Sequence, residues 1–128
     1  MVDYRIELVI LPVSDVDRSR DFYGDTLGWP VDHDQTVDEN VRFVQVTPPG
    51  SACSIAFGRG LSEMEPGSLR ALQAVVGSAE DALADLTARG VAADGVDEQA
   101  WGRFVRFADP DGNTWTLQQL PDWSQRAE

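Results

Sequence analysis

The sequence predicts an α+β fold made of two tandem βαβββ modules in one domain. Three observations lead to this prediction. The two halves of the 128-residue chain carry strand, helix and hairpin signals in the same order, each with a Ser-x-x-Asp helix start and a turn containing proline and glycine. The tripeptide Arg42-Phe43-Val44 also recurs as Arg103-Phe104-Val105. Chance similarity of two alternating patterns is the competing explanation, but the matching order favours a duplication.

Each module begins with an alternating apolar strand that leads into a helix. A serine side chain at a helix start accepts a hydrogen bond from an exposed N–H group, and an acidic residue in the first turn faces the positive end of the helix. We therefore expect the helices to begin at Ser14 and Ser78, with Asp17 and Asp81 in their first turns.

Glycine favours the left-handed end of a helix, so the first helix is predicted to run to about Leu27 and to stop near Gly28, and the second to stop at Gly90. Alternation and the turns TPPG and DPDG locate the strands. The predicted edge strands lie around residues 30–34 and 91–96, and the hairpins pair residues 41–47 with 52–58 and 103–108 with 113–120. The modules then span about residues 4–58 and 69–120, with a linker at 59–68.

The composition restricts both the partners and the metal chemistry. A formal charge of −12 repels phosphate backbones and anionic lipids, so we expect neither nucleic-acid nor membrane binding. The N-terminal stretch lacks the basic region and cleavage site of a signal peptide, which with the single cysteine favours a cytoplasmic location. Because His33 and Cys53 are the only imidazole and thiol, one chain cannot build a histidine-rich metal site.

Two runs, SDVDRSRDFYGDTLGW and FADPDGNTWTLQQ, together with the repeat, resemble the vicinal oxygen chelate superfamily. This superfamily includes glyoxalase I, extradiol dioxygenases, and fosfomycin and bleomycin resistance proteins. The resemblance covers residues 4–120. It implies two sheets side by side in an open, incompletely closed β-barrel, a ligand on the concave face, and a homodimer.

The resemblance also implies where a catalytic metal would bind. Members that use a metal take one ligand from the first strand of each module, seven residues before the helix start, and one from the last strand, four residues after the turn glycine. Those positions here are Leu8, Ala71, Ser54 and Thr116. None offers an imidazole or a carboxylate, so we expect no metal and no cofactor. A strand shifted by one residue, which would bring Glu7 into the site, is the alternative.

Side-chain alternation along the strands predicts the lining of the ligand cleft. The candidate ligand-binding residues are Leu8, Ile10, Phe43, Gln45, Ser54, Gln73, Phe104, Arg106 and Thr116, and Thr114 and Gln118 share their parity. The residues expected to pack under the helices are Val44, Val46, Val105 and Phe107. The cleft is therefore predicted to be apolar with a few polar groups, as small-molecule pockets are.

Several of these residues also have purely structural interpretations. Phenylalanines in the position of Phe43 and Phe104 belong more often to a core than to a ligand platform, and Arg106 could pair with a surface acid. Three tryptophans near element ends could contact a ligand or a dimer interface: Trp29, Trp101 and Trp123. We expect His33 at the solvated surface and Cys53 in the core.

These observations favour a metal-free protein that binds and sequesters a small molecule, a drug or metabolite that is cationic or aromatic. The alternative is a metal-dependent lyase, isomerase or dioxygenase of the same superfamily, and a third possibility is a non-catalytic interaction module. Fold alone does not distinguish them, because function depends on the site.

Overall fold

The computed structural model describes residues 1–122. The chain divides into two compact units. Unit one comprises Met1–Leu69 with Pro110–Asn113, and unit two comprises Arg70–Asp109 with residues 114–122. The segment predicted to be a linker, residues 59–68, belongs to unit one. The single-domain organisation and its module bounds stay a prediction.

Unit one contains a four-stranded mixed sheet and one helix. Its elements are β1 (Leu8–Ile10), α1 (Val16–Arg20), a π-helical continuation of α1 (Asp21–Thr26), β2 (Val31–Thr36), β3 (Arg42–Val46) and β4 (Ser54–Arg59). The strand order is β1-β4-β3-β2. The pair β1–β4 is parallel and the other pairs are antiparallel.

Unit two repeats this arrangement. Its elements are β5 (Leu72–Val75), α2 (Ala79–Ala88), β6 (Asp97–Gln99), β7 (Gly102–Ala108) and β8 (Thr114–Gln119). The strand order β5-β8-β7-β6 matches that of unit one, again with a parallel first pair. The predicted α+β fold of two βαβββ modules is therefore confirmed. No helix within residues 1–122 is long and apolar enough to cross a bilayer.

The predicted helix starts are right for one helix and wrong by one residue for the other. Ser78 caps α2, and its hydroxyl accepts from the backbone N–H of Asp81 at 3.1 Å. In α1 the cap is Asp15, whose carboxylate accepts from the N–H of Arg18 at 3.1 Å. Ser14 does not cap α1, because its hydroxyl instead donates to the carboxylate of Asp111 at 2.5 Å.

The DPDGN turn is held inside unit one by polar contacts. The carboxylate of Asp111 accepts from both the backbone and side chain of Ser14 and pairs with Arg18 at 3.2 Å. The fully buried side-chain amide of Asn113 donates to the carbonyl of Pro12 at 2.9 Å and accepts from the N–H of Leu69 at 3.1 Å. These contacts are the reason why Ser14 is not available as a helix cap.

The helix ends agree with the sequence, whereas one edge strand does not. Gly28 and Gly90 have φ of 73° and 77°, in the left-handed region that glycine adopts without strain. Strand β2 lies close to its predicted range, but β6 forms at residues 97–99 instead of 91–96. Within 91–96 only Ala93 makes an isolated bridge, to Phe107, because the Asp-Gly pair at residues 94–95 disfavours a strand.

The face of each sheet that packs against its helix forms the core. Val44, Val46, Val105 and Phe107 are all buried, which confirms their predicted position under the helices. In unit one the ring of the buried Tyr23 contacts Phe57 at 5.6 Å between centroids. In unit two the rings of Phe107 and Trp115 stack at 6.0 Å.

The repeated Arg-Phe-Val tripeptide gives each module the same ion pair between sheet and helix. Arg42 on β3 donates to Asp17 in the first turn of α1 at 2.7 Å and makes two bonds of 3.0 Å to Asp34 on β2. Arg103 on β7 donates to Glu80 in the first turn of α2 at 2.5 Å and lies 3.9 Å from Glu98 on β6. The arginine of each tripeptide therefore has a structural role, because it joins the sheet to the helix.

Candidate functional site

The candidate ligand-binding residues all lie on the sheet faces that point away from the helices, which we call the open faces. This follows from the pairing registers, because directly paired residues project to the same side of a sheet and neighbours along a strand alternate. The open face of the first sheet carries Leu8, Ile10, Phe43, Gln45, Ser54 and Ala56, and that of the second carries Gln73, Val75, Phe104, Arg106, Thr114, Thr116 and Gln118. Their role in binding stays a prediction.

The open face of the second sheet contains a groove of about 470 Å³. Arg106 and Thr116 are the ligand-binding candidates that line it, with Thr114 beside them. The remaining lining residues are Ala71, Ala92, Ala93, Asp94, Phe107, Ala108 and Trp115. The sequence does not reveal the contribution of residues 92–94, because its pattern predicts an edge strand there. Its run of small residues before Asp-Gly was the available sign of a loop that leaves space.

Three polar side chains form a row across the second open face. Arg106 on β7 pairs directly with Thr116 on β8, and Thr116 pairs with Gln73 on β5. Neighbouring strands are about 4.8 Å apart, so the row extends for roughly 10 Å between its outer Cα atoms. We call Arg106, Thr116 and Gln73 the polar row.

The charge of Arg106 is largely compensated. Its guanidinium donates to the carboxylate of Asp97 at 3.0 Å and lies 5.4 Å from the centre of the Phe104 ring. The hydrogen bond from Arg106, and then the one from Gln99, lower the pKa of Asp97 below its ordinary value. Asp97 therefore stays ionised at neutral pH and holds the guanidinium over the aromatic ring.

The first open face is less polar at the corresponding positions. Gln45 on β3 pairs with Ala56 on β4, and Ala56 pairs with Ile10 on β1. The hydroxyl of the buried Ser54 lies 2.7 Å from that of Thr47, which in turn donates to Asp32. Phe43 is half-buried beside this row.

The residues at the metal-ligand positions do not fit a divalent ion. In unit one Leu8 lies opposite Ser54, as the sequence implied. In unit two the residue opposite Thr116 is Gln73, and not Ala71, which precedes β5 and donates its N–H to the hydroxyl of Thr114 at 2.7 Å. Neither arrangement supplies a carboxylate or imidazole, and weakly basic hydroxyl and amide groups do not offset the dehydration of the ion.

The alternative register, in which β1 is shifted by one residue so that Glu7 enters the site, is also wrong. The pairing of Leu8 with Ser54 puts Glu7 out of phase with the open face, and the Glu7 carbonyl accepts from the N–H of Ser54 at 2.9 Å. Over residues 1–122, no three His, Cys, Asp or Glu side chains lie close enough together to hold a metal ion.

The remaining candidates lie apart from the polar row. Trp29 contacts Tyr23 at 5.7 Å between ring centroids, so it packs within unit one. Trp101 is 59% exposed, and Trp123 lies outside the described residues. His33 is exposed on β2, as expected, whereas Cys53 is only half-buried and not a full member of the core.

Comparisons with known proteins give the relatives of this fold. The family model for the Glyoxalase/Bleomycin resistance protein/Dioxygenase superfamily matches residues 5–117. TnmS3, an antibiotic binding protein from Streptomyces sp. CB03234, is 37% identical with a TM-score of 0.85, covering 94% of this chain and 99% of its own. A glyoxalase/bleomycin resistance protein from the same organism is 38% identical with a TM-score of 0.78, covering 90% and 100%.

A superfamily member from Sphaerobacter thermophilus DSM 20745 is 32% identical with a TM-score of 0.80, covering 91% of this chain and 98% of its own. A search of curated proteins gave no match. The family model and these structures cover nearly the whole chain. The chain belongs to the Glyoxalase/Bleomycin resistance protein/Dioxygenase superfamily.

Proposed function

We propose that this protein binds and sequesters a small organic molecule, an antibiotic or a related metabolite, without a metal ion, at the open face of the second sheet. The observation that carries this proposal is the groove beside the polar row. It has the size of a small-molecule site, and among its lining residues only Asp94 has a side chain of a usual metal-ligand type, which is too few to hold an ion.

The donor set of the groove supports recognition without chemistry on a metal. Within the groove, Arg106 offers a guanidinium, Thr114 and Thr116 offer hydroxyls and Asp94 offers one carboxylate, while most of the remaining lining is alanine. The amide of Gln73 lies at the far end of the polar row, beside Thr116 and outside the groove lining. Apolar walls provide most of the binding free energy, and a few polar groups orient the ligand. The alternative, a metal-dependent lyase, isomerase or dioxygenase, needs ligands that the expected positions do not supply.

An aromatic ligand fits this groove better than a cationic one. Arg106 lines the groove together with one carboxylate, Asp94, and its guanidinium is paired with Asp97. A cationic ligand would therefore compete with Arg106 for these carboxylates. The guanidinium lies over the Phe104 ring, and a guanidinium group also stacks on planar rings of ligands. The net charge of −12 acts at longer range, where it raises the local concentration of cations without placing one in the groove.

The relatives support the same class of function. The similarity to TnmS3, described as an antibiotic binding protein, extends over nearly the full length of both chains. We extend that kind of activity to this chain as part of the proposal. The proposed cytoplasmic location and homodimer are separate predictions, and light scattering of the purified protein tests the latter.

A binding measurement in the presence of EDTA tests the proposal. We expect a neutral planar aromatic such as 2-methoxynaphthalene to bind in isothermal titration calorimetry with the metal removed, and Arg106→Leu to weaken binding roughly tenfold. Arg89→Leu is the matched control, because Arg89 pairs with Asp85 on α2 and is not on the open face.

Ligand binding that depends on a metal ion would contradict the proposal. If binding appears only after zinc, nickel, manganese or iron is added, with one equivalent held per chain, the sequestering function is wrong and the enzyme alternative gains. Turnover of hemithioacetals or catechols under the same conditions would support the same conclusion.

A further inference from the structure

The amide of Gln73 is held in one orientation by a chain of hydrogen bonds that ends at a backbone carbonyl. The side-chain Nε2 of Gln118 donates to the carbonyl of Trp101 at 2.9 Å. A carbonyl group only accepts, so this contact must use the NH₂ end of Gln118. Its Oε1 then faces Gln73, whose Nε2 donates to it at 2.5 Å.

The consequence is that Gln73 presents its carbonyl oxygen, and not its NH₂ group, to a ligand. Among the described residues, no hydrogen bond to Gln73 Oε1 is formed. An isolated glutamine exchanges the two ends of its amide by rotation, but here the rotation would set two carbonyl oxygens, those of Gln73 and Gln118, against each other.

We infer that the polar row selects ligands with a hydrogen-bond donor at the Gln73 end, and that Gln118 is a positioning residue for this selection. The inference rests on the proposed function, since it specifies a ligand that extends from the groove along the polar row to Gln73, which lies next to the lining residue Thr116. The two ends of the row have opposite character, because the guanidinium of Arg106 attracts an electron-rich ring or an acceptor, and the oxygen of Gln73 accepts from an O–H or N–H group. A planar aromatic with a phenolic hydroxyl satisfies both ends.

The selectivity arises from desolvation. Gln73 is exposed, so water satisfies its oxygen in the free protein. A ligand that covers Gln73 without offering a donor leaves that oxygen unpaired, whereas a phenol replaces the lost water. The expected preference for the phenol is roughly five- to hundredfold, the usual penalty for an unsatisfied buried acceptor.

A matched pair of probes tests this directly. We expect 2-naphthol to bind the wild-type protein at least about fivefold more tightly than 2-methoxynaphthalene, which differs only by methylation of the hydroxyl. Gln73→Met should abolish the preference for 2-naphthol. Gln118→Met leaves residue 73 a glutamine but frees its amide to rotate, so it should reduce the preference. Gln35→Met, the same change at an exposed strand position of unit one, should leave it intact.

A measurement without ligand tests the positioning role independently. In NMR spectra of the side-chain amides, Gln118→Met should shift the Nε2 resonances of Gln73, whereas Gln35→Met should not. Unchanged Gln73 resonances in Gln118→Met would overturn the positioning role. Thermal unfolding shows whether each variant is folded before it is used.

The outcomes separate this inference from the proposed function. Equal affinity of the two probes for the wild-type protein overturns the donor selectivity and leaves the proposed binding function standing. If neither probe binds, the proposed function fails for planar aromatics and the selectivity fails with it.

Discussion

The two modules share a scaffold and differ at the open face. In both, an arginine at the start of the Arg-Phe-Val tripeptide joins the third strand to the first turn of the helix. Three residues further along β7, at Arg106, unit two carries the polar row, whereas the matching row in unit one consists of Gln45, Ala56 and Ile10. The difference indicates that the scaffold tolerates either chemistry at this row, and this is the reason why we assign the proposed ligand preference to it.

The largest expected difference in stability between matched variants of the two modules concerns their last strands, β4 and β8. Gly58 pairs with Phe43 in unit one, and Gln118 pairs with Phe104 in unit two. A Cβ added at Gly58 would lie 1.7 Å from the backbone oxygen of Arg42, so Gly58→Ala should lower the free energy of unfolding by more than about 3 kcal/mol.

The control for this variant is Gln118→Ala, which removes one hydrogen-bonded side chain and should lower stability by about 1 kcal/mol. Urea unfolding of both variants measures the contrast. Similar losses in the two variants would mean that the modules do not differ at this position.

The equivalent arginines of the two modules, Arg42 and Arg103, differ in their burial and in the number of carboxylates that they contact. Arg42 is 13% exposed and bonds to two carboxylates, whereas Arg103 is 28% exposed and has one close partner. Arg42→Met should therefore lower the free energy of unfolding by about 1–2 kcal/mol. Arg103→Met, the matched change in unit two, should lower it by less, and chemical denaturation of the two variants measures the ranking. The reverse order would contradict the assigned roles.

Acid should remove part of the contribution that Arg42 makes to the free energy of unfolding. Hydrogen bonds from Arg42 are the main cause that holds the pKa of Asp34 below its ordinary value of 3.8. Because the folded pKa is depressed, the pair stabilises the fold above pH about 4 and loses that contribution as the pH falls through the folded value. The difference in unfolding free energy between wild type and Arg42→Met should thus shrink from pH 6.5 to pH 3, and a constant difference would exclude this linkage.

The helices provide the smallest expected effect. Ser19 and Ala82 are equivalent, since the N–H of each donates to the carbonyl of its helix cap at 3.0 Å. The hydroxyl of Ser19 is fully buried and has no partner in the described structure. Ser19→Ala, which makes α1 resemble α2, should raise stability by about 1 kcal/mol, measured by thermal and urea unfolding.

Ser78→Ala is the opposing control, because it removes the cap of α2 and should lower stability by about 1 kcal/mol. A loss of stability in Ser19→Ala would indicate that its hydroxyl has a partner in solution.

The sequence predicted the fold class because the strand and helix signals are local and occur twice. It failed where a residue's role depends on a distant partner. Ser14 and Asp15 are both competent helix caps, and only the contact with Asp111 assigns the cap to Asp15. Likewise, counting from turns and helix starts matched Thr116 with Ala71, although the parallel pairing matches it with Gln73.

The sequence by itself determined the side of the sheet that each strand residue faces, because the alternation of a strand is local. It also determined that the chain has too few imidazole and thiol groups for the usual metal site. Only the tertiary structure decided which side chains lie opposite one another and which end of the Gln73 amide is presented. Strand register and hydrogen-bond direction are set by pairing between segments far apart in the chain, and local patterns do not encode that pairing.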